Sequence, residues 1–277
     1  MKNDVDFDSA NLRDFAKNIR LHAIRMISQS GASHLGGNFS MAEIVAVLYG
    51  AILRVDPQNP NDPQRDRFVL SKGHAAAGLY AALAEKGFFP NEWLDRFYCD
   101  GGKLSGHATK HVPGVDVSSG SLGHGLPIGT GFALAGKKRG KDYRSFVLLS
   151  DGECNEGSTW EAVMFAAQNQ LDNLVAVVDY NKMQALGPTA NIIDLEPFAE
   201  KWRSFGWETR EVDGHDVDQL FNVLSKIPLQ NGKPTCMIAH TVKGKGVSFM
   251  ENELLWHYRT PKGNEYETAL EELTRVS

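Results

Sequence analysis

The sequence predicts an α/β fold, in which a mainly parallel sheet is covered by helices on both faces. Short apolar runs that favour strands alternate along the chain with segments of helical periodicity. The runs at 146–149 and 174–178 are continuous in apolar residues, which is typical of strands buried on both faces. Alternation of this kind places connecting helices above and below one sheet.

In the first half of the chain, capping and turn signals separate the elements. Apolar side chains at helical spacing fill 12–30 and stop at Gly31, and a capping box from Ser40 to Glu43 opens a second helix that runs to residue 53. The segment 56–66 is polar and rich in proline, which predicts a surface excursion. The remaining elements of this half are a strand at 67–70, an alanine-rich helix that ends by residue 87, and a glycine-rich loop at 120–140 that leads into another helix.

The second half repeats strand, helix and strand. We expect strands at 146–149, 174–178, 207–212 and 234–240, and helices at 158–170, 194–205, 216–227 and 265–275. The helix at 158–170 is long enough for a right-handed crossover between two parallel strands. No linker, repeat or low-complexity tract divides the sequence, so we expect one domain over 1–277, with a terminal helix or linker stub near 265–277.

Composition and charge exclude several classes of function. The chain has 277 residues, of which 42% are hydrophobic, enough to fill a sizeable core. A formal net charge of -5 and a pI near 6.0 give no reason to expect nucleic acid or an anionic membrane as a partner. Three cysteines without Cys-x-x-Cys spacing indicate reduced thiols in a cytoplasmic protein. The acidic, polar start from Met1 to Asp6 lacks the features of a signal peptide, so we expect no export.

Two oxygen donors follow neighbouring predicted strands, close to the point where each strand ends. Asp151 comes after the run 146–149, and Asn181 comes after the run 174–178. Because parallel strands joined by one crossover end at the same edge of a sheet, we expect both side chains to face one crevice. A few hard oxygens suit Mg²⁺, which also binds diphosphate, and Gly152 lets the backbone approach a phosphate closely. The alternative is that Asp151-Gly152 is an ordinary turn and that the segment 179–181 is an ordinary strand end.

Several dispersed motifs point to one family. Asp151-Gly152, with Asn181 30 positions later, is similar to that family's cofactor fingerprint, although Ser150 replaces its first glycine. Further segments match in the right order: Ser30 to Gly37 with Leu35 in place of proline, Arg67 to Ala75, Leu104 to His107, Gly120 to Gly125 with Ser121 and His124 as departures, and Lys243 to Gly246 followed by His257. Together they resemble the transketolases among the thiamine-diphosphate enzymes, nearly from end to end. The resemblance implies the family's thiamine-diphosphate-binding fold, with thiamine diphosphate and Mg²⁺ as cofactors.

The resemblance also implies roles for individual residues. The implied metal ligands are Asp151, Asn181 and Met183. The residues implied to contact the cofactor are His74, Gly120, Ser121, Leu122, Gly152, Glu156, Glu161, Asn181 and His257. The residues implied to line the donor-sugar channel and to act in catalysis are His34, His107 and His257. With His74, these histidines fall in predicted loops at the carboxyl ends of elements, where imidazoles bind sugar hydroxyls or diphosphate oxygens.

Other polar residues keep more than one interpretation. Glu156 and Glu161 lie at the start of the crossover helix, where the helix dipole favours carboxylates, while the resemblance places them in a carboxylate cluster across a subunit interface. His22 lies inside a predicted helix and His240 ends a strand, so we expect structural roles for both. The roles of three further histidines stay open: His111, His124 and His215.

No segment of the sequence resembles the pyrimidine-binding domain that carries the activating glutamate of this family. We therefore expect half of a split transketolase, completed by a C-terminal subunit in a heterotetramer of two plus two chains. The implied reaction transfers a two-carbon ketol unit from a ketose phosphate to an aldose phosphate through a thiamine-diphosphate adduct, within pentose phosphate metabolism. The alternatives are a subunit of a 1-deoxyxylulose-5-phosphate synthase-like or oxo-acid decarboxylating enzyme, or a non-catalytic cofactor-binding regulatory subunit.

Overall fold

A five-stranded parallel sheet forms the centre of the fold, and all its strands end at one edge. The computed structural model describes residues 7–275. The strands are β1 (Arg67–Leu70), β2 (Ser145–Ser150), β3 (Leu174–Tyr180), β4 (Glu208–Asp213) and β5 (Thr235–His240). They lie in the order β1-β2-β3-β5-β4, and each neighbouring pair is parallel. The predicted parallel sheet is confirmed, with its strands in the expected segments.

Helices cover both faces of this sheet. They are α1 (Ser9–Ser30), α2 (Leu35–Ser40), α3 (Ala42–Val47), α4 (Ala76–Glu85), α5 (Gly125–Lys138), α6 (Gly157–Gln168), α7 (Thr189–Ile192), α8 (Phe198–Ser204), α9 (Val217–Leu224) and α10 (Asn264–Arg275). One core packs side chains such as Phe146 against α1, α3, α4 and α9, and the other packs side chains such as Val147 against α5, α6 and α8. Because successive strand residues point to opposite faces, these two neighbours belong to different cores.

The ends of α1 follow the sequence signals. Asp8 precedes the helix, and its carboxylate accepts hydrogen bonds from two backbone N–H groups of the first turn, at 2.9 and 3.3 Å. Gly31 has a φ of 72° and donates its N–H to the carbonyl of Ile27, a left-handed ending that glycine adopts without steric cost. The short loop that follows places His34 at the start of α2.

The capping box predicted at Ser40 is wrong. Ser40 is the last residue of α2, and its hydroxyl donates to the buried carboxylate of Asp179 at 2.6 Å instead of capping the next helix. The hydroxyl binds the tertiary partner because a buried carboxylate without hydrogen-bond donors costs more free energy than an uncapped helix end. The expected helix to residue 53 is also divided, since α3 ends at Val47 and a π-helical turn, Leu48–Ile52, continues it.

Two further boundaries differ from expectation. The segment 120–140 is mostly helix rather than loop, because α5 begins at Gly125. Gly125 allows close packing there, since a Cβ atom on it would lie 2.1 Å from the Ser71 hydroxyl oxygen. The helix expected at 194–205 begins only at Phe198, because Pro197 disfavours the helical conformation in the residue before it.

The two ends of the chain differ in how far the structure describes them. The terminal helix expected at 265–275 is confirmed as α10. The acidic start from Met1 to Asp6, on which the expectation of no export rests, lies outside the described residues, as do residues 276 and 277. Within 7–275, every helix is too short or too polar to cross a membrane.

Candidate functional site

At the carboxyl edge of the sheet, Asp151 contacts the turn that follows β3. Its Oδ2 accepts a hydrogen bond from the backbone N–H of Lys182 at 2.6 Å, and its Oδ1 accepts one from that of Gly152 at 2.7 Å. In the same turn, Asn181 Oδ1 accepts the N–H of Met183 at 3.1 Å. The crossover through α6 therefore brings the three expected metal ligands together at one edge.

The donor chemistry of this turn fits a hard cation. Asp151 is almost fully buried, and burial, followed by the nearby Asp179 carboxylate, raises its pKa to about 6. A bound cation would balance the negative charge of the Asp151 carboxylate. Asn181 adds an amide oxygen and Met183 a backbone carbonyl, the neutral oxygens that Mg²⁺ accepts beside a carboxylate. Over residues 7–275, three or more histidine, cysteine or acidic side chains are nowhere grouped to hold a metal ion.

Beside Asp151, Lys72 and Asp179 form a fully buried ion pair. Lys72 Nζ also donates to the carbonyl of Gly37 at 2.9 Å, and Asp179 accepts hydrogen bonds from the hydroxyls of Ser40 and Thr241. Burial alone would raise the pKa of Asp179, but Lys72 and these hydroxyls hold it below its ordinary value. This pair joins the carboxyl ends of β1, β3 and β5 to α2.

Four of the predicted histidines converge at the same edge. The ring centroid of His34 lies 5.1 Å from that of His74, 5.0 Å from that of His257 and 6.3 Å from that of His107. The rings of His74 and His257 are 5.9 Å apart. A Cβ atom on Gly37 would lie 3.8 Å from His74 Nε2, so this glycine keeps the space beside the ring free of a side chain. Four separate segments thus bring four imidazoles into one cluster. His74 and His257 lie in short 3-10 helices, Gly73–Ala75 and Leu254–His257, rather than in the expected loops.

Lys243 adds a second buried lysine to this cluster. Its Nζ lies 3.0 Å from His257 Nδ1 and 3.4 Å from the carbonyl oxygen of Met183. Burial, followed by the charge of Lys72, lowers the pKa of Lys243 to about 8. Burial, followed by Lys243, lowers the pKa of His257 to about 3. The imidazole is therefore neutral at pH 7. The ammonium group of Lys243 offers a positive charge to an anion, since Asp179 already balances the charge of Lys72.

A glycine loop borders the histidines on the other side. A Cβ atom on Gly120 would lie 3.4 Å from His107 Cδ2, so the loop backbone packs on that ring. Buried Glu153 holds the loop, because its Oε1 accepts the N–H of Gly123 at 2.8 Å, and burial raises the pKa of this carboxyl. The expected cofactor residues of this loop are the exposed Gly120 and Ser121 and the half-buried Leu122.

The remaining expected cofactor residues lie at the start of α6. Glu156 is the residue before the helix and Glu161 lies in its second turn, and both are exposed. Glu156 adjoins the glycine loop, since its Cβ lies 2.7 Å from the Cβ position of Gly123. Gly152 is half-buried, and a Cβ atom on it would lie 3.0 Å from Cγ of Gln184. The structure therefore sets these glutamates at the rim and Gly152 beside the metal turn.

Sequence reasoning assigns no role to Lys72 and Lys243, although both lie in the motifs that carry the resemblance. Their position just after strands is the available signal, but lysines are almost never fully buried, so their burial could not be expected. His22 and His240, for which we expect structural roles, lie 2.8 Å and 3.0 Å from carboxylate oxygens of glutamates. Two of the histidines left open are exposed: His111 and His124.

Comparison with known families agrees with this geometry. Residues 12–271 match the family model described as transketolase, thiamine diphosphate binding domain. The chain belongs to the transketolase family. The buried carboxylate and amide turn, the two lysines and the cradle of glycines fit the diphosphate end of the cofactor that this domain is named for.

Transketolases and transketolase subunits are similar to most of the chain. An apulose-4-phosphate transketolase subunit from Actinobacillus succinogenes is 45% identical over 260 residues, which cover 93% of this chain and 94% of that subunit. A 6-deoxy-6-sulfo-D-fructose transketolase subunit from Clostridium sp. is 41% identical over 266 residues, which cover 96% of this chain and 97% of that subunit. The crystal structure of transketolase from Campylobacter jejuni matches with a TM-score of 0.91 at 28% identity, over 97% of this chain and 43% of that one. The chain thus spans less than half of this solved transketolase.

Replacing Lys243 with methionine should raise the pKa of His257 above its value of about 3, because the ammonium group is the largest cause of that value after burial. An NMR titration of the ring resonances measures the change. Lys245→Met is the matched control, since that lysine is partly exposed and pairs with Glu251 at 3.5 Å. A His257 ring that titrates near pH 6.5 in the unmodified chain would contradict the electrostatic account of the site.

Proposed function

We propose that this chain is the diphosphate-binding subunit of a two-subunit transketolase, which transfers a two-carbon ketol unit from a ketose phosphate to an aldose phosphate. The observation that carries the proposal is the convergence of the buried Asp151 carboxylate, two buried lysines and four histidines at one edge of the sheet. A pocket of this kind suits a metal-bound diphosphate next to a sugar. The two subunits that the chain covers almost completely are named as transketolase subunits, one for apulose 4-phosphate and one for 6-deoxy-6-sulfo-D-fructose.

The chain's share in cofactor binding divides between two sets of residues. Asp151, Asn181 and the carbonyl of Met183 would hold Mg²⁺, and His74, His257 and Gly152 would contact the diphosphate, with Lys243 offsetting its charge. Bound thiamine diphosphate supplies a nucleophilic thiazolium carbon that takes up the two-carbon unit. By fixing the diphosphate, these residues fix where that carbon meets the sugar, which removes part of the entropic barrier.

His34, His107 and His257 handle the donor sugar in this proposal. Burial, followed by His107 and then the lysines, lowers the pKa of His34 to about 4, so its ring is neutral at pH 7. A neutral imidazole offers one donor and one acceptor nitrogen. His34 Nδ1 lies 3.1 Å from the hydroxyl oxygen of Ser33, which leaves Nε2 for substrate. His107 is exposed, while the Tyr80 hydroxyl holds its carbonyl at 2.7 Å. Such rings can bind a sugar hydroxyl and accept its proton.

The proposed partner is a C-terminal transketolase subunit with a pyrimidine-binding domain, in a cytoplasmic heterotetramer of two plus two. An apolar surface on α5 and α6 supports a partner, because Ile128, Met164 and Phe165 are 37%, 50% and 48% exposed on two helices that pack together. Glu156 and Glu161, both exposed near this surface, would extend toward a neighbouring subunit. In this proposal, residues 1–277 form one domain, and the enzyme serves pentose phosphate metabolism.

Asp151→Ala removes the charged ligand proposed for Mg²⁺. The Mg²⁺-dependent affinity of the two-subunit enzyme for thiamine diphosphate should fall by more than about tenfold, because loss of a ligand exceeds the usual effect of a supporting residue. Calorimetric titration measures the affinity, and a melting curve checks the fold. Asp172→Ala, before the amino end of β3, is the control. Equal affinity in the two variants would remove Asp151 from the metal site.

His34→Ala and His107→Ala should affect the sugar rather than the cofactor. Turnover should fall or the KM of the donor should rise, by about 10²-fold or more for a lost acid–base group, while cofactor affinity stays near normal. Steady-state kinetics at saturating cofactor separates these effects. His22→Ala, which removes a histidine paired with Glu85, serves as the control. Wild-type kinetics in both site variants would leave these histidines without a role in sugar handling.

The purified chain alone, supplied with Mg²⁺ and thiamine diphosphate, should show no ketol transfer. Activity should appear on mixing with a pyrimidine-domain subunit, because in the proposed arrangement that subunit carries the glutamate that activates the aminopyrimidine ring. A coupled assay over a range of partner concentrations tests this, and light scattering gives the mass of the active species. Robust turnover by the chain alone would refute the two-subunit proposal.

A further inference from the structure

His215, in the loop between β4 and α9, bridges two parts of the chain that sequence places far apart. Its Nδ1 lies 2.9 Å from Glu43 Oε2, and its Nε2 accepts the backbone N–H of Val242 at 2.8 Å. Since the Val242 amide can only donate, Nε2 is unprotonated and Nδ1 carries the proton that is donated to Glu43. The two contacts therefore fix both the tautomer and the orientation of the ring.

The Glu43 end of this bridge is rigidly held. Arg20 from α1 makes two hydrogen bonds to the Glu43 carboxylate, at 2.6 and 2.7 Å, and both side chains are buried. Burial alone would raise the pKa of Glu43, but Arg20 and the hydrogen bond from His215 lower it to about 2. Glu43 is thus a permanent carboxylate, which holds the ring of His215 in place.

The other end of the bridge is the Val242 amide, next to Lys243. The hydrogen bond to His215 sets the backbone just before this lysine. The loop has two further fixed points, since the Lys243 carbonyl accepts the N–H of Asn252 at 2.8 Å and the N–H of Gly244 donates to the carbonyl of Gly36 at 3.0 Å. The Lys243 side chain then runs to His257 and to the metal turn.

We propose that His215 is a positioning residue, which acts through the Val242 amide to hold the ammonium group of Lys243 against the diphosphate site. This inference rests on the proposed function for the identity of the ligand. Without the bridge, the loop loses a backbone hydrogen bond, and Lys243 gains freedom that must be lost again when an anion binds.

Two substitutions separate the ends of the bridge. His215→Gln extends an amide oxygen toward the Val242 N–H and so keeps the contact that matters in this account. His215→Asn has a shorter side chain, which keeps a donor near Glu43 but withdraws the acceptor from Val242. A role in the Glu43 network alone would favour the asparagine variant, whereas the proposed role favours the glutamine variant. The matched control is His240→Asn, because His240 lies 3.0 Å from a Glu211 carboxylate oxygen at the end of β5 but does not contact this loop.

The first measurement is hydrogen–deuterium exchange of the peptide that covers 241–246 in the chain alone, which requires neither cofactor nor partner. The asparagine variant should exchange about tenfold faster there than wild type, and the glutamine variant and the control should not. The second is the affinity of the two-subunit enzyme for thiamine diphosphate with Mg²⁺, where the asparagine variant should bind about tenfold more weakly and the glutamine variant near normally.

Several outcomes would overturn the positioning role. Exchange and affinity that do not differ between the asparagine and the glutamine variant would do so. Faster exchange in the asparagine variant without a loss of affinity for thiamine diphosphate would do so as well. Loss of the folded state in both variants, seen as a lost melting transition, would assign His215 to stability and also refute it. Failure of the wild-type enzyme to bind thiamine diphosphate would instead count against the proposed function, and the exchange experiment would still decide whether His215 holds the loop.

Discussion

The buried ion pair between Lys72 and Asp179 holds the functional edge of the sheet together. Lys72 comes from the end of β1 and Asp179 from β3, while α2 and the end of β5 add hydrogen bonds to the same two groups. Removing one partner of such a pair costs about 3–5 kcal/mol, because the other charge is left buried and uncompensated. His34 lies directly before α2 and His74 lies shortly after β1, so the pair sets the positions at which these two rings meet.

Charge is distributed unevenly around this pair. On one side, Lys243 joins Lys72 and lowers the pKa values of the neighbouring imidazoles, and on the other side Asp151 has a raised pKa. Because Asp179 balances the charge of Lys72, the ammonium group of Lys243 and the carboxylate of Asp151 are left, and they are complementary to a metal-bound diphosphate, in which the cation faces the carboxylate and the anion faces the ammonium group. Neutral histidines between them remain available for hydroxyl groups. One electrostatic arrangement is therefore suited both to a metal-bound diphosphate and to the sugar hydroxyls that we propose for the histidines.

Much of this could be predicted from sequence because the signals are local. Asp151 and Asn181 directly follow β2 and β3, and the parallel crossover places them at one edge. Ser40 shows where local reasoning fails, since its hydroxyl serves Asp179, 139 positions away, instead of a helix end. His215 shows the same, because its partner Glu43 is 172 positions away. Burial of charged groups depends on which distant elements pack together. The periodicity of apolar residues along the sequence does not contain that information.

The most direct test of the account is a crystal structure of the two-subunit complex grown with thiamine diphosphate and Mn²⁺ in place of Mg²⁺. Anomalous scattering locates the metal independently of the surrounding atoms. The account predicts one metal peak at bonding distance from Asp151, Asn181 and the carbonyl of Met183, with the diphosphate on the side of His74 and Lys243. A metal bound by other residues, or a diphosphate that does not contact this edge of the sheet, would contradict it.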